Sequence, residues 1–163
     1  MPLVKYSCLK KMLNSLSPDP SGAPETFEFP AQPDIMPVYD LGCSHEYMLR
    51  SDFIVPKKYS GLLADIFIPR GFETDGASAP QFTWSVFGII PDGLWRGAAV
   101  AHDYLYSCGG DFYISEHDKW YSFSRKDCDR ALRNLMLISG VGKFKAWETY
   151  WAVRLFGGSH FRR

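Results

Sequence analysis

The stretch AAVAHDYLY, residues 98–106, is the part of the sequence on which we expect the rest of the fold to assemble. Residues 94–106 contain one glycine and no proline before the SCGGD turn, which predicts a helix of about three and a half turns. One side of this helix is formed by Leu94, Ala98, Ala101, His102 and Leu105. His102 is therefore expected to project into the apolar side of a helix rather than into water.

The neighbours of His102 on the helix are also informative. Tyr106 lies one turn further along on the same side, and Asp103 lies about 100° around the helix axis. Four small residues precede or flank the histidine: Gly97, Ala98, Ala99 and Ala101. Because small side chains let a second backbone come close, we expect another helix to pack here.

A helix that starts at Ser124 is the predicted partner. Ser124 and Asp127 form a capping-box pattern, and apolar residues at helical spacing continue to Gly140. Asp129 adjoins the apolar stripe, whereas Asp127 is expected to face solvent. If the two helices pack antiparallel, the Asp129 carboxylate can accept a hydrogen bond from one ring nitrogen of His102.

This pairing predicts a chemistry. A carboxylate that fixes the tautomer of His102 leaves its other ring nitrogen to take a proton from water, as a hydrolase requires. Asp103 could then hold a divalent cation, with Asp75 and Gly76 of the TDGAS turn adding oxygen ligands that suit calcium. Two other interpretations remain open: a buried His–Asp pair that only joins two helices, and a metal or ligand site without catalysis.

The remaining elements predict an α+β fold, in which a small antiparallel sheet or hairpin is followed by three to four packed helices. EYMLRSDFIV and LLADIFIP, within residues 46–69, alternate apolar and polar side chains around a loop of about six residues. A short helix is expected from Ser78, which we interpret as a helix cap rather than a nucleophile. A last helix, rich in Trp and Tyr, is expected over residues 143–156.

Three segments are predicted along the chain. Residues 1–44 form an extended, proline-rich arm, since six prolines lie between Pro18 and Pro37 with few periodic apolar positions. Residues 45–158 form a single globular domain, and residues 159–163 form a basic tail.

Composition limits the possible functions. Of the 163 residues, 46% are hydrophobic and 22% are charged, and 18 basic residues balance 18 acidic ones. A net charge of zero gives no field that would attract nucleic acid, so no nucleic-acid partner is expected. No transmembrane segment or signal peptide is expected either, because the apolar runs are too short.

Three motifs and a closing segment resemble those of a family of small phage and prophage proteins, domain-of-unknown-function family 1353. They are IPRGFETDGASAP at residues 68–80, AAVAHDYLY at 98–106, SRKDCDRALRNLM at 124–136 and the closing WAVRLFGG. The resemblance covers residues 46–158 and implies a phage or prophage source. It also implies a location in the virion or the host cytoplasm, and gives no activity.

AAVAHDYLY is also similar to the CCxxHDxCY helix of calcium-dependent secreted phospholipases, and CDRA at 128–131 resembles their second helix. This similarity implies that His102 is the base, Asp103 a calcium ligand, Asp129 the group that orients His102, and Tyr106 a hydrogen-bond donor to Asp129. The sequence departs from those enzymes in lacking their glycine- and cysteine-rich calcium loop and nearly all their disulfide cysteines.

Two functional hypotheses follow. The first is a His/Asp hydrolase that acts on an ester bond in a lipid or an envelope component, with no organic cofactor and with Ca²⁺ as the expected metal. The second is a non-catalytic virion protein, a structural or accessory component of tail or baseplate. In that case, other virion proteins would be its partners, bound through the arm and the aromatic C-terminal helix.

Overall fold

The computed structural model describes residues 26–38, 47–74, 93–114 and 119–161, with short strands mainly in the first half and longer helices in the second. The strands are Thr26–Glu28 (β1), Ile35–Pro37 (β2), Tyr47–Leu49 (β3), Asp52–Val55 (β4), Ile66–Ile68 (β5), Glu73–Thr74 (β6), Asp111–Ile114 (β7) and Lys119–Ser122 (β8). The helices are Lys57–Ser60 (α1), Arg96–Ser107 (α2), Arg125–Ile138 (α3) and Lys143–Phe156 (α4). The chain thus has an α+β fold, as the sequence predicts. No helix within these ranges is long and apolar enough to cross a membrane.

The strands form small sheets. In the first sheet, β4 lies between β1, which is parallel to it, and β5, which is antiparallel. Phe53 and Val55 of β4 are fully buried, as are Ile66 and Ile68 of β5, because alternate residues of a strand point to the same face. In the second sheet, β3 lies between β2 and β6, and β7 and β8 form a separate antiparallel hairpin.

The predicted strand EYMLRSDFIV is wrong in one respect, since it contains two strands that belong to different sheets. After β3 the backbone N–H of Arg50 bonds to the carbonyl of Asp34 at 2.8 Å, and β4 starts two residues later in the other sheet. The predicted six-residue loop is also longer: residues 56–65 connect β4 to β5 and include α1. The first backbone N–H of this helix, on Lys57, bonds to the Asp65 carboxylate at 2.7 Å.

The prediction of an extended arm over residues 1–44 is wrong for residues 26–38. These residues supply β1 and β2 to the two larger sheets. Phe29, only 1% exposed, lies in the main hydrophobic core. A Cβ added at Gly97 would come within 3.3 Å of its ring, so the smallest residue of α2 makes room for this phenylalanine. Proline content suggested a linker, but burial of Phe29 anchors the segment in the domain.

Substitution of Phe29 tests that anchoring. Phe29→Leu should lower the free energy of unfolding by about 1–1.5 kcal/mol, because the smaller side chain leaves space against Gly97 and loses the edge contact with the Tyr59 ring. Urea unfolding of the full-length protein measures the difference. An unchanged midpoint would mean that residues 26–38 are the loosely attached arm that composition suggests.

The helices agree with the sequence predictions. α2 and α4 occupy nearly the predicted positions, and α3 begins with a capping box in which Ser124 and Asp127 bond to each other's backbone N–H groups. Residues 107–123, between α2 and α3, contain the antiparallel pair β7 and β8. The predicted helix from Ser78 lies outside the described residues.

Candidate functional site

The site is centred on Asp129, in the second turn of α3, whose side chain is fully buried. The residues after Asp129 on α3 include the buried apolar side chains that pack this helix against α2 and α4. An ionised carboxylate is costly to bury unless every oxygen is hydrogen-bonded. The contacts of Asp129 therefore determine what this part of the molecule can do.

Three donors from two other helices converge on the carboxylate. Oδ1 accepts a hydrogen bond from the Tyr106 hydroxyl at 2.5 Å and lies 3.0 Å from Nε2 of His102. Oδ2 accepts one from Nη1 of Arg154 at 2.7 Å. Both oxygens are thus engaged, and the carboxylate is held by α2 on one side and by α4 on the other.

These contacts fix the orientation of His102. An ionised carboxylate can only accept hydrogen bonds, so Nε2 must carry the proton, and in the neutral ring Nδ1 is the nitrogen with a free lone pair. The ring also packs on Tyr106, with a centroid distance of 4.1 Å. About 10% of the His102 side chain remains exposed. The arrangement is that of a histidine held in place from one side, with its second nitrogen directed away from the carboxylate.

The electrostatic surroundings keep Asp129 ionised and Tyr106 protonated. Burial by itself would raise the pKa of Asp129, but the hydrogen bonds from His102, Tyr106 and Arg154 lower it below its ordinary value. Burial, and then the hydrogen bond to Asp129, raise the pKa of Tyr106 well above its ordinary value. Tyr106 is therefore a permanent donor at neutral pH, and Asp129 a permanent acceptor.

The structure places His102, Tyr106 and Asp129 in direct contact, while their catalytic roles stay predictions. It adds Arg154, which donates a hydrogen bond to Asp129 and was not among the predicted site residues. The signal was present in the closing WAVRLFGG motif, where Arg154 is the one charged residue, but its target lies 25 residues earlier on another helix. Spacing within α4 gives no indication of that partner.

Asp103, the predicted metal ligand, lies beside the site on α2. Its Oδ2 accepts a hydrogen bond from the Thr74 hydroxyl at 2.6 Å, which ties α2 to β6. Asp75 and Gly76, the other predicted ligands, lie outside the described residues. Within the described ranges no group of three His, Cys, Asp or Glu side chains is placed to hold a metal ion. Asp103 is thus the one predicted ligand whose surroundings are known.

Arg154→Met should lower the free energy of unfolding by about 2 kcal/mol, because it removes a charge-assisted hydrogen bond and leaves Oδ2 of Asp129 buried without it. Arg130→Met is the matched control: Arg130 is exposed and pairs with Asp127 at 3.6 Å on the same helix, so its loss should cost less than about 0.5 kcal/mol. Chemical unfolding of both variants gives the comparison. Equal losses would show that the buried pair contributes nothing beyond a surface pair.

The lowered pKa of Asp129 predicts a pH dependence of stability. In the unfolded chain the pKa of this carboxyl is about 3.9, so the unfolded chain binds a proton more readily than the folded one. The stabilisation is therefore complete above that value and is lost as the pH falls through the lower folded-state pKa. Wild type should be more stable than Asp129→Asn at pH 7, and the difference should narrow at pH 3. A constant difference across this range would contradict an ionised Asp129.

Comparison with known proteins gives two matches. Residues 47–153 match the family described as "Protein of unknown function (DUF1353)". The chain is 32% identical over 90 residues to "Uncharacterized protein y4jT" of Sinorhizobium fredii (strain NBRC 101917 / NGR234). That match covers 55% of this chain and 23% of the relative's length. No solved structure matches the chain. The family match includes His102, Asp103, Tyr106 and Asp129, and ends one residue before Arg154.

Proposed function

The chain belongs to the DUF1353 family, and we propose that it is a hydrolase that cleaves an ester bond with water activated by His102 and Asp129. One observation carries the proposal: the buried, ionised Asp129 holds Nε2 of His102, so Nδ1 is the nitrogen that can take a proton. A general base of this kind has to be oriented by a second group that is itself fixed. Tyr106 and Arg154 provide that fixation.

The proposed reaction has two steps. Water attacks the ester carbonyl carbon while Nδ1 of His102 takes its proton, giving a tetrahedral intermediate and an imidazolium ring next to Asp129. The bond from carbon to the alcohol oxygen then breaks, and His102 returns the proton to the leaving alkoxide. The products are a carboxylic acid and an alcohol, and the protein is regenerated unchanged.

Calcium belongs to the proposal through Asp103, whose carboxylate oxygen is the kind of hard ligand that this cation prefers. When bound, the cation would supply positive charge for the developing oxyanion. The described residues provide only this one ligand for it. The need for calcium is therefore tested separately from the role of His102.

A phage or prophage origin, and with it a virion or host-cytoplasm location, also belongs to the proposal and is supported by the motif resemblance alone.

The competing function is a virion structural or accessory protein in which His102 and Asp129 only join two helices. Exposed aromatic residues on α4 favour a binding role of some kind. Hydrolytic activity discriminates between the two functions.

The test is acid release, measured by pH-stat with the full-length protein. The substrates are a short-chain ester in solution and dispersed phosphatidylcholine and phosphatidylglycerol. Each is assayed with CaCl₂ at about 2 mM and, separately, with excess EGTA. The proposal expects release above the buffer rate from at least one ester, and calcium dependence if Asp103 binds the cation. No release from any of them would reject the hydrolase.

A further inference from the structure

The outer face of α4 carries a line of large apolar side chains in contact with water. Phe144, Trp147, Trp151 and Leu155, here called the aromatic stripe, are 78%, 46%, 54% and 70% exposed. Their spacing of three, four and four residues places them on one side of a helix. An exposed apolar row of this size in a folded protein marks a surface that binds something.

A cationic depression adjoins the C-terminal end of the stripe. It is an open depression of about 410 Å³, lined by Ser124, Arg125, Lys126, Arg154, Gly158 and Phe161. Lys126 is exposed, while Nη1 of Arg125 is buried and makes no hydrogen bond within the described part of the chain. Arg154 is already paired with Asp129, so Arg125 and Lys126 supply the positive charge that remains for a ligand, and this charge favours an anion with several oxygen acceptors, such as a phosphate group.

The charge of the surrounding sequence has the same sign. Residues 143–163 contain five basic residues and one acidic residue, Glu148, in a chain whose net charge is zero. Trp and Phe prefer the boundary between acyl chains and headgroups, and basic residues beside them are attracted to anionic lipids. A basic helix with an exposed aromatic side is typical of segments that lie on a membrane surface.

We propose that the aromatic stripe and the cationic depression together dock the protein on an anionic phospholipid surface. The stripe enters the headgroup boundary, and a lipid phosphate occupies the depression beside Arg125 and Lys126. A second copy of the chain fits the surface less well, because Glu148 is the one acidic residue that its segment 143–163 offers to the depression. A lipid surface supplies the apolar layer and the phosphate at the same time.

The docking surface is connected to the candidate site. Arg154 lines the depression and donates a hydrogen bond to Asp129. Phe161 also lines the depression, and its ring packs edge-on against the Tyr106 ring at a centroid distance of 5.1 Å. If the protein hydrolyses esters, which rests on the proposed function, its substrate class is then the ester-linked lipid of the surface on which it docks. The docking itself does not depend on catalysis.

The experiment is co-sedimentation of the full-length protein with vesicles of phosphatidylcholine, and with vesicles containing about one quarter phosphatidylglycerol, a composition that gives a strongly anionic surface. Wild type should bind the anionic vesicles at least about tenfold more tightly than the neutral ones. Trp151→Ser and Lys126→Glu should each weaken that binding by about tenfold. Trp120→Ser, at an exposed tryptophan on β8, and Arg130→Glu, at an exposed arginine on α3, are the matched controls and should bind as wild type does.

Two results would overturn the proposal. One is that wild type binds the two vesicle types equally, or binds neither, or that Trp151→Ser and Lys126→Glu leave its binding unchanged. The other is a wild-type dimer in sedimentation equilibrium that Trp151→Ser converts to monomer without any vesicle binding, which would assign the stripe to a second copy. Vesicle binding without ester hydrolysis would reject the proposed function alone, and hydrolysis of dispersed esters without vesicle binding would reject the docking alone.

Discussion

Replacing Asp129 by alanine should lower the free energy of unfolding by about 3–5 kcal/mol at pH 7. The substitution removes the acceptor for three donors at once, and two of them, the Tyr106 hydroxyl and the Arg154 guanidinium, are at hydrogen-bond distances of 2.5 and 2.7 Å. The guanidinium would be left partly buried without its counterion, and a small cavity would form between three helices. Urea unfolding at constant ionic strength measures the effect.

Asp127→Ala is the appropriate comparison for that variant. Asp127 lies on the same helix, and its side chain completes the capping box with Ser124 at the surface. Its loss should cost about 1 kcal/mol, the usual effect of a helix cap. If Asp129→Ala costs no more than Asp127→Ala, the buried carboxylate does not hold the three helices together as the structure indicates.

The parts of the fold that could be predicted are those where one periodicity is sustained over several turns. The helices that contain His102 and Asp129, and the aromatic helix α4, follow from apolar residues at helical spacing and from the Ser124 cap. Short strands carry too few residues for such a signal. For that reason the sequence predicts one strand where the structure has β3 and β4, and a linker over residues 26–38, although Phe29 is buried in the core.

The candidate site was predictable to the same extent. His102 and Asp129 each lie on the apolar side of a predicted helix. Because both side chains would be buried where the two helices pack, the sequence indicates that they contact each other. The contact of Tyr106 with Asp129 was implied only by similarity to another helix. Arg154 could not be predicted, because its pairing depends on how α4 crosses α3, and helical spacing within α4 contains no information on that crossing.

The second large effect concerns catalysis by His102. His102→Gln keeps a side-chain N–H that can reach Oδ1 of Asp129 and removes the nitrogen that would accept a proton from water. The free energy of unfolding should fall by only about 1 kcal/mol, from the lost ring contact with Tyr106. The rate of ester hydrolysis should fall by about 10³-fold, the usual contribution of a positioned general base. If His102 and Asp129 only join two helices, the wild-type protein itself should not hydrolyse the ester.

The most direct test of the central claim is therefore the rate of acid release by folded His102→Gln, divided by that of wild type on the same ester. Circular dichroism and urea unfolding establish that the variant is folded under the assay conditions. If His102 is the general base, this ratio should be about 10⁻³ or less. A folded variant that hydrolyses the ester at the wild-type rate would show that His102 is not the base, and that its pairing with Asp129 serves only to join α2 to α3.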